Sequence, residues 1–311
     1  MKQVSIVIPC FNEEGALAAL FERLDRFIAA TPSFAFEIVC VNDGSTDGTL
    51  ERLIEMRHGR VDLVIVDLSR NFGKEAALSA GLSTARGDAV VPMDADLQHP
   101  PELIGEMLAL WERGFEVVVA KRTDRSSESM SKRLGARAFY KFHNAVSEVA
   151  IPVDVGDFRL MDRVVVDVLN ALPENRRFMK GLFAWVGFRT ASVPYSPVAR
   201  TRGTTTFHGW QLWNLALEAI TSFSLLPLRV WSYVGALVAF VSLGYAAWIV
   251  TRTLFFGIDV PGYASIIVAV LFLGGLQLIG IGIIGEYLGR NYLESKRRPA
   301  FVIRKVMRPD A

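Results

Sequence analysis

The first 120 residues alternate short apolar runs with segments whose apolar residues recur at helical spacing. The apolar runs occupy residues 4–9, 36–42, 61–68, 89–94 and 116–120. The segments between them have the three-to-four-residue period of amphipathic helices. Strands that are apolar on both faces and are separated by helices are typical of a mostly parallel sheet covered on both sides. The pattern therefore predicts an α/β domain.

Polar clusters follow four of these apolar runs, reading CFNEE, NDGSTDG, SRNFGK and DADLQ. In parallel α/β sheets, ligands bind beyond the carboxyl ends of the strands. We therefore expect the functional site at this edge. The chain has no GxGxxG after the first run and no Walker A sequence, which disfavours dinucleotide oxidoreduction and P-loop chemistry.

The most informative cluster is MDADLQHPPE, in which Asp94 and Asp96 lie two residues apart at a predicted strand end. With the amide of Gln98 they form a set of hard oxygen ligands suited to Mg²⁺ or Mn²⁺. Such a metal would bridge a diphosphate and neutralise its charge. A surface turn can also carry two aspartates, but the apolar strand before them and the predicted helix after them favour a metal site.

The cluster after the second run contains two aspartates with different expected roles. Asp43 follows a buried strand directly and could accept hydrogen bonds from a base or a ribose hydroxyl. Asp47 is better explained as an Asx-type turn that caps the next helix. After the first run, Pro9 removes a backbone donor and residues 12–14 begin a helix whose N-terminus faces the cleft.

Two runs near the C-terminus, residues 230–250 and 262–285, contain no charged residue. Each meets the ~20 apolar residues needed to cross the hydrocarbon core of a membrane. We therefore predict two transmembrane helices, at about 230–251 and 263–285, in a hairpin segment spanning 226–290. The alternative is a buried helical hairpin of a soluble protein.

The tail after the second run, residues 291–311, is basic, and positive charge marks the cytoplasmic flank of a membrane helix. Two spans return the chain to the side that it left. We therefore expect the large domain, residues 1–225, and both termini on the cytoplasmic side. Glycines within 273–285 permit close helix packing, so a homo-oligomer formed through these helices is expected.

Two further segments, residues 129–147 and 208–223, are predicted as amphipathic helices at the membrane surface. The first has an apolar stripe beside the basic residues Arg133 and Arg137, and the second carries two tryptophans placed as interfacial anchors. The alternative for the first is a surface helix packed on the sheet.

The remaining composition adds little. A formal charge of +2 gives no general attraction for anions, so we expect no nucleic-acid partner. Cys10 and Cys40 lie in apolar runs and are expected to be reduced core residues. The four histidines show no metal-ligand spacing, and we assign none of them a catalytic role.

Several segments together resemble the polyprenyl-phosphate glycosyltransferases of glycosyltransferase family 2. They are VSIVIPCFNEE, VNDGSTDGT, LSRNFGKEAALSAGL, MDADLQHPPE, GDFRLMDR, RFMKGLFAWVG, SFSLLPLRVWSYVG and GEYLGR. The resemblance covers about residues 3–300 and is strongest to the bactoprenol glucosyltransferase branch. It implies a GT-A, Rossmann-like fold and an inverting transfer of a sugar from a nucleotide diphosphate to a polyprenyl phosphate.

The resemblance also implies roles for individual residues. The metal would be held by Asp94, Asp96 and Gln98, and the catalytic group would comprise Asp157, Arg159 and Asp96. The nucleotide sugar would be bound by Pro9, Phe11, Asn12, Glu14, Asp43, Lys74, Asp94 and Ala95.

A phosphate monoester is largely dianionic at cytosolic pH because its second pKa lies near 6. It hardly needs a base, so Asp157 is better interpreted as an orienting group for Arg159, with general base as the alternative. Cations must hold the acceptor phosphate. The candidates are Arg122, Arg133, Arg137, Arg177, Lys180, Arg200 and Arg202, each of which could instead be a solvated surface charge.

UDP-glucose is the favoured donor, with UDP-N-acetylglucosamine, GDP-mannose or another nucleotide sugar as alternatives. A processive polysaccharide synthase is disfavoured because the chain lacks QxxRW and has too few predicted spans. A non-catalytic scaffold is disfavoured by the intact carboxylates. Relatives usually carry a lysine near Thr206, so this chain lacks a cation in that loop, and Arg202 is the candidate to replace it.

Overall fold

The computed structural model describes residues 1–123, 155–174, 177, 179–195, 226–256 and 262–309. The predicted interfacial helices, at 129–147 and 208–223, lie outside these residues. So do Arg133, Arg137, Arg200, Arg202 and Thr206.

The strands are β1 (Gln3–Cys10), β2 (Ala35–Asn42), β3 (Leu63–Leu68), β4 (Ala89–Pro92), β5 (Val117–Arg122), β6 (Val155–Asp162), β7 (Thr190–Tyr195) and β8 (Ile303–Met307). The helices of the domain are α1 (Glu14–Ala29), α2 (Thr49–Arg57), α3 (Lys74–Thr84), α4 (Leu103–Glu112), α5 (Arg163–Ala171) and α6 (Met179–Trp185). Two long helices follow, α7 (Leu226–Phe256) and α8 (Tyr263–Ser295).

All eight strands form one sheet in the order β7-β5-β6-β4-β1-β2-β3-β8. Strands β3, β2, β1 and β4 pair in parallel, as the apolar runs predict. The sheet as a whole is mixed, because β6 runs antiparallel to β4 and β5, and β8 runs antiparallel to β3. The amino ends of β6 and β8 therefore lie at the same edge as the carboxyl ends of the parallel strands.

Apolar side chains cover both faces of the sheet. On one face, Ile6 and Ile8 of β1 belong to a core formed with α1, α2 and α4. On the other, Val7 belongs to a core formed with α3, α5 and α6. Burying one aliphatic side chain of this size stabilises the fold by about 1.5–3 kcal/mol. The predicted two-sided α/β arrangement is confirmed.

Helix α3 packs unusually close to the sheet. A Cβ at Gly81 would lie 2.2 Å from Cγ1 of Val7 and 3.1 Å from Cγ2 of Val41. A larger residue at position 81 would push α3 away from β1 and β2. This close packing fixes the position of the first residue of α3, Lys74, at the carboxyl edge of the sheet.

The C-terminal helices α7 and α8 contain 31 and 33 residues. At 1.5 Å per residue they are about 46 and 50 Å long. Many large apolar side chains on them are exposed, including Phe240 and Leu278. The two helices touch where Gly280 meets Trp231, since a Cβ at Gly280 would lie 2.0 Å from Nε1 of that tryptophan.

Among the described residues, one helical segment is long and apolar enough to cross a membrane, Phe272–Ser295, and a shorter apolar segment is Val230–Ser242. The predicted span at 263–285 overlaps the first of these but begins and ends about ten residues earlier. The predicted span at 230–251 lies within α7 and is matched only by the shorter segment. The model therefore supports one span directly.

Candidate active site

The centre of the polar edge is a lysine shared by two carboxylates. Nζ of Lys74 lies 2.6 Å from Oδ1 of Asp94 and 3.1 Å from Oδ2 of Asp157. Lys74 is the first residue of α3, Asp94 follows β4, and Asp157 lies near the amino end of β6. Helix α3 and the segments at the ends of β4 and β6 thus each contribute one charged side chain to the same place.

Neighbouring charges favour the charged forms of Lys74 and Asp157. Burial alone would lower the pKa of Lys74, but Asp94 and Asp157 outweigh it and raise the pKa well above its ordinary value. Burial alone would raise the pKa of Asp157, but Lys74, Lys180 and Arg159 hold it below the ordinary value. Asp157 is therefore ionised at neutral pH. Its Oδ1 is buried without a hydrogen-bond partner among the described residues.

Beside this lysine lies a cluster that could hold a metal ion. Ligand atoms of Asp94, Asp96 and His99 all lie within 4.8 Å of one another. Gln98 supports Asp96, because its backbone nitrogen donates to Oδ1 at 3.1 Å and its Nε2 donates to Oδ2 at 2.6 Å. Leu97 adopts a positive φ of 58°, a conformation that side chains rarely adopt, which tightens the turn.

The spacing of the histidines indicated no role for His99, yet the structure brings it to Asp94 and Asp96. Its ring stacks on Phe158 at 4.9 Å and lies 5.7 Å from Tyr195, measured between ring centroids. Burial lowers the pKa of His99, although the nearby Asp94 and Asp96 oppose the shift. Its Nδ1 is buried with no hydrogen-bond partner in the described part of the chain. A neutral imidazole of this kind is a good metal ligand.

Asp43 joins two of the loops at this edge. Its Oδ1 accepts a hydrogen bond from the backbone of Phe72 at 2.7 Å, and its Oδ2 accepts one from Gly73 at 2.9 Å. Only 2% of Asp43 is exposed, and burial raises its pKa while the two amides oppose that shift. Asp43 thus holds the β3–α3 loop in place. The predicted contact with a nucleoside stays a prediction.

The β1–α1 and β2–α2 loops are tied to each other. Oδ1 of Asn12 accepts from the backbone of Thr46 at 2.8 Å, and Asn12 adopts a positive φ of 57°. Oε2 of Glu14 accepts from the backbone of Gly48 at 3.1 Å. Oδ1 of Asp47 accepts from the backbone nitrogen of Thr49 at 3.1 Å, which is the predicted Asx-type turn, but Gly48 and not Asp47 occupies the N-cap position of α2.

The other residues expected to bind the nucleotide sugar lie at the same edge. Pro9 is the penultimate residue of strand β1, and Phe11, the residue after the strand, is 46% exposed. Ala95, between the two aspartates of the cluster, is 3% exposed. The binding roles of these three residues stay predictions.

Arg159 lies behind Asp157 and is almost completely buried. Its Nη2 donates to the carbonyl oxygen of Gly156 at 2.8 Å, and its Cζ lies 3.8 Å from the centre of the Phe183 ring. Burial lowers the pKa of Arg159 to about 10, against the attraction of Asp157. Arg159 is thus a covered positive charge near Asp157, and its predicted catalytic role stays a prediction.

The residues 5–169 match the family model described as glycosyl transferase family 2, which covers more than half of the chain. The chain belongs to glycosyl transferase family 2. A second model, described as the GtrB C-terminal hairpin, matches residues 226–290, the segment that contains α7 and most of α8.

Curated relatives match this family 2 glycosyltransferase over nearly its whole length. A bactoprenol glucosyl transferase of Shigella phage SfV is 50% identical over 97% of this chain and 98% of its own. A prophage bactoprenol glucosyl transferase homolog of Escherichia coli K12 is 48% identical over 98% and 99%. An uncharacterised glycosyltransferase of Synechocystis sp. is 52% identical over 97% and 94%.

Solved structures are more distant. The mannosyltransferase PcManGT from Pyrobaculum calidifontis, in complex with GDP-Man and Mn²⁺, superposes with a TM-score of 0.48 at 20% identity, over 69% of this chain and 60% of its own. The TarS structure of S. aureus with UDP-GlcNAc gives a TM-score of 0.49 at 17% identity, over 72% and 68%.

In this family 2 enzyme, three of the cations expected to bind the acceptor phosphate are described. Lys180, in the first turn of α6, contributes a positive charge at Asp157. Arg122 ends β5 opposite Tyr195. Arg177 donates to the carbonyl oxygens of Leu172 and Glu174, at 2.9 and 3.2 Å, and so closes the loop after α5. Of these three cations, Lys180 is the one whose positive charge lowers the pKa of Asp157.

Two carboxylates near the site, Glu75 and Glu13, were given no role from the sequence. Burial and the charge of Asp157 raise the pKa of Glu75 to about 7, against the opposing charges of Lys74 and Lys180. Burial and the charges of Asp96 and Asp94 raise the pKa of Glu13. Glu75 directly follows Lys74, and Glu13 directly follows Asn12. This proximity to expected site residues is the sequence signal that could have identified them.

Proposed function

We propose that this glycosyltransferase moves glucose from UDP-glucose to a polyprenyl phosphate with inversion at the anomeric carbon. The observation that carries the proposal is the 48–50% identity, over 97–98% of the chain, to proteins named bactoprenol glucosyl transferases. The product is a lipid-linked glucose that would serve to modify a polysaccharide at the cell surface.

The proposed reaction joins one phosphate oxygen of the acceptor to C1 of the glucose. The bond between C1 and the β-phosphate oxygen breaks, and UDP leaves with the electron pair. Lys74, Lys180 and the buried Arg159 surround Asp157 with positive charge. Such fixed charges favour bringing an anionic acceptor to the donor. The ionised Asp157 orients these cations, and its role as a base is the alternative.

The residues present fit a divalent cation. The carboxylates of Asp94 and Asp96 offer hard oxygens, and His99 offers a buried nitrogen without another partner in the described structure. Gln98 holds Asp96 in place and offers its amide oxygen. A bound Mg²⁺ or Mn²⁺ would neutralise the charge of the leaving diphosphate. Oxygen ligands alone favour Mg²⁺, whereas an imidazole ligand suits Mn²⁺ better.

We propose that α7 and α8 cross the membrane as a hairpin, with the domain and both termini on the cytoplasmic side. The match of residues 226–290 to the hairpin model and the exposed apolar side chains of both helices support this topology. The basic residues after α8 support the orientation. Gly274, Gly275 and Gly282 have open space beside them, so we place self-association on α8.

The donor is tested with purified full-length protein, undecaprenyl phosphate and Mg²⁺ or Mn²⁺. The protein is incubated in turn with labelled UDP-glucose, UDP-N-acetylglucosamine and GDP-mannose, and the organic phase is counted. We expect label from UDP-glucose only, and only when the lipid is added. Label from another sugar nucleotide would replace the donor and keep the reaction class.

The topology is tested by placing single cysteines in the chain with Cys10 and Cys40 replaced by alanine. A cysteine at Ser295 should react with a membrane-impermeant maleimide only after the cell is opened. A cysteine placed within residues 257–261, between α7 and α8 in the sequence, should react in intact spheroplasts. Protection of both positions in spheroplasts would contradict the two-span proposal.

A further inference from the structure

The C-terminal strand β8 lies outside both family models and pairs with the edge of the sheet. It runs antiparallel to β3, with Leu68 opposite Ile303 and Asp67 opposite Lys305. The register shifts between these two pairs, so Arg304 is the extra residue of a β-bulge. Bulges often redirect a side chain towards a functional site.

Arg304 contacts the carboxyl end of β3. Its Nη1 lies 3.3 Å from Oδ2 of Asp67, and its Nη2 donates to the carbonyl oxygen of Ser69 at 2.8 Å. The Asp67 side chain is 6% exposed, whereas that of Arg304 is 61% exposed. A nearly buried carboxylate therefore depends on a cation supplied by the C-terminal strand.

From Asp67, hydrogen bonds continue into the loops of the site. Oδ1 of Asp67 accepts from Nδ2 of Asn42 at 2.8 Å, and Oδ1 of Asn42 accepts from the backbone of Ser45 at 3.2 Å. Oγ of Ser45 then accepts from the backbone of Asn12 at 3.1 Å. Two residues of this chain of contacts, Asn42 and Ser45, flank Asp43 in the sequence, and Asp43 is the residue expected to contact the nucleoside.

We propose that Arg304 is a positioning residue, which holds the β2–α2 loop in the shape that binds the nucleotide through Asp67, Asn42 and Ser45. The inference rests on the proposed function for the identity of the nucleotide. It also means that the chain leaving the second long helix completes the nucleotide site. Removing Arg304 leaves Asp67 with only the Asn42 amide as a described partner, so the Asn42 side chain and the loop shift.

The same strand supplies a matched control. Arg308 follows β8 and binds the opposite end of the sheet, where its Nη1 lies 3.4 Å from Oε1 of Glu37 and its Nη2 donates to Thr84 at 3.1 Å. The Glu37 side chain is 8% exposed. Arg304→Gln and Arg308→Gln thus remove similar contacts made by the C-terminal segment, but only the contact of Arg304 is connected to the β2–α2 loop.

The first measurement needs no ligand. Hydrogen–deuterium exchange of the full-length protein in detergent is followed for residues 42–49 in the wild type, Arg304→Gln, Arg304→Lys and Arg308→Gln. We expect these amides to exchange about tenfold faster in Arg304→Gln only, with Arg304→Lys close to the wild type. Equal exchange of these amides in Arg304→Gln and Arg308→Gln would overturn the proposal. This holds even if both variants have the same reduced melting temperature, because the proposal requires an effect at residues 42–49 that is specific to Arg304.

The second measurement is kinetic. For Arg304→Gln we expect the KM for UDP-glucose to rise about tenfold, the effect of losing one charge-assisted hydrogen bond, with kcat within about twofold of the wild type. Arg308→Gln should leave KM unchanged. A fall in kcat alone would count against a positioning role. If no glucose is transferred by the wild type, the proposed function fails, whereas the exchange experiment still decides the role of Arg304.

Discussion

Lys74 and Asp157 form an ion pair of 3.1 Å between the first turn of α3 and the amino end of β6. The same ammonium also lies 2.6 Å from Asp94, beside the predicted metal site. One side chain therefore connects the carboxylate of the metal cluster to the carboxylate expected at the reacting centre.

Replacing Lys74 by methionine should abolish most of the activity without unfolding the protein. Methionine keeps the length of the side chain but removes the charge that Asp94 and Asp157 share. We expect kcat to fall about 100-fold, as for other fixed charges in active sites. Lys121→Met, at an exposed position of β5, is the control. Wild-type kcat in Lys74→Met would show that the ion pair is incidental.

His99 can be tested as a metal ligand separately from its packing. His99→Phe keeps a ring to stack on Phe158 but removes both nitrogens. If His99 binds the metal, the concentration of Mn²⁺ that gives half-maximal activity should rise about tenfold or more. Asp96→Asn should abolish metal-dependent turnover. An unchanged Mn²⁺ titration in His99→Phe would restrict His99 to a packing role.

Asp43 should contribute to stability as well as to binding. In Asp43→Ala the half-buried backbone amides of Phe72 and Gly73 lose their acceptor, and the loss of these two hydrogen bonds should cost about 1–3 kcal/mol in the free energy of unfolding. Asp88→Ala, which removes an exposed acceptor of the Gln3 amide, is the comparison and should cost less. Equal melting temperatures for the two variants would contradict the anchoring role of Asp43.

Glu75 should make the stability depend on pH. Its pKa is about 7 in the folded protein, against an ordinary value of 4.5. The folded state therefore holds a proton that the unfolded chain releases, so this residue makes stability fall as pH rises from 4.5 to 7. In Glu75→Gln this contribution is absent.

The comparison is the melting temperature of wild type and Glu75→Gln in detergent between pH 5 and pH 8. The variant should gain stability relative to the wild type as pH rises, and the gain should level off above about pH 7. Glu106→Gln, on the exposed side of α4, measures the effect of removing a surface charge. A constant difference across this range would show that Glu75 is not perturbed.

The local sequence predicted the first half of the domain well. The strands β1 to β5 and the helices α1 to α4 lie within a few residues of the predicted segments, because each carries its own apolar period. Asp94 and Asp96 were found for the same reason, since an apolar strand ends directly before them. The Asx-type turn of Asp47 before α2 was also predictable from the local sequence, although the N-cap position belongs to Gly48.

The sequence did not reveal the antiparallel strands. The segment VGDFRLMD of β6 mixes charged and apolar residues, and IRKVM of β8 reads as part of a basic tail. Strand β8 pairs with β3 across more than two hundred residues, as the contact of Arg304 with Asp67 shows. A single sequence holds no local signal for such a pairing.

His99 was missed for a related reason. The spacing between the histidines indicates no metal site, because the partners of His99 are the aspartates three and five residues before it. The strained turn at Leu97 brings these side chains together, and a helical or extended period would not. Likewise, Lys74 was expected at the nucleotide sugar, and only the fold shows that Asp94 and Asp157 approach it from two strands.

Glucosyl transfer to a polyprenyl phosphate changes the mass of the lipid, so mass spectrometry of the lipid product detects it. Purified protein, UDP-glucose, Mn²⁺ and undecaprenyl phosphate should give a lipid heavier by one hexose residue, with the β-anomeric signal of inversion by NMR. Asp157→Asn should form it far more slowly. Unmodified lipid alongside free glucose, or an α-linked product, would contradict the account.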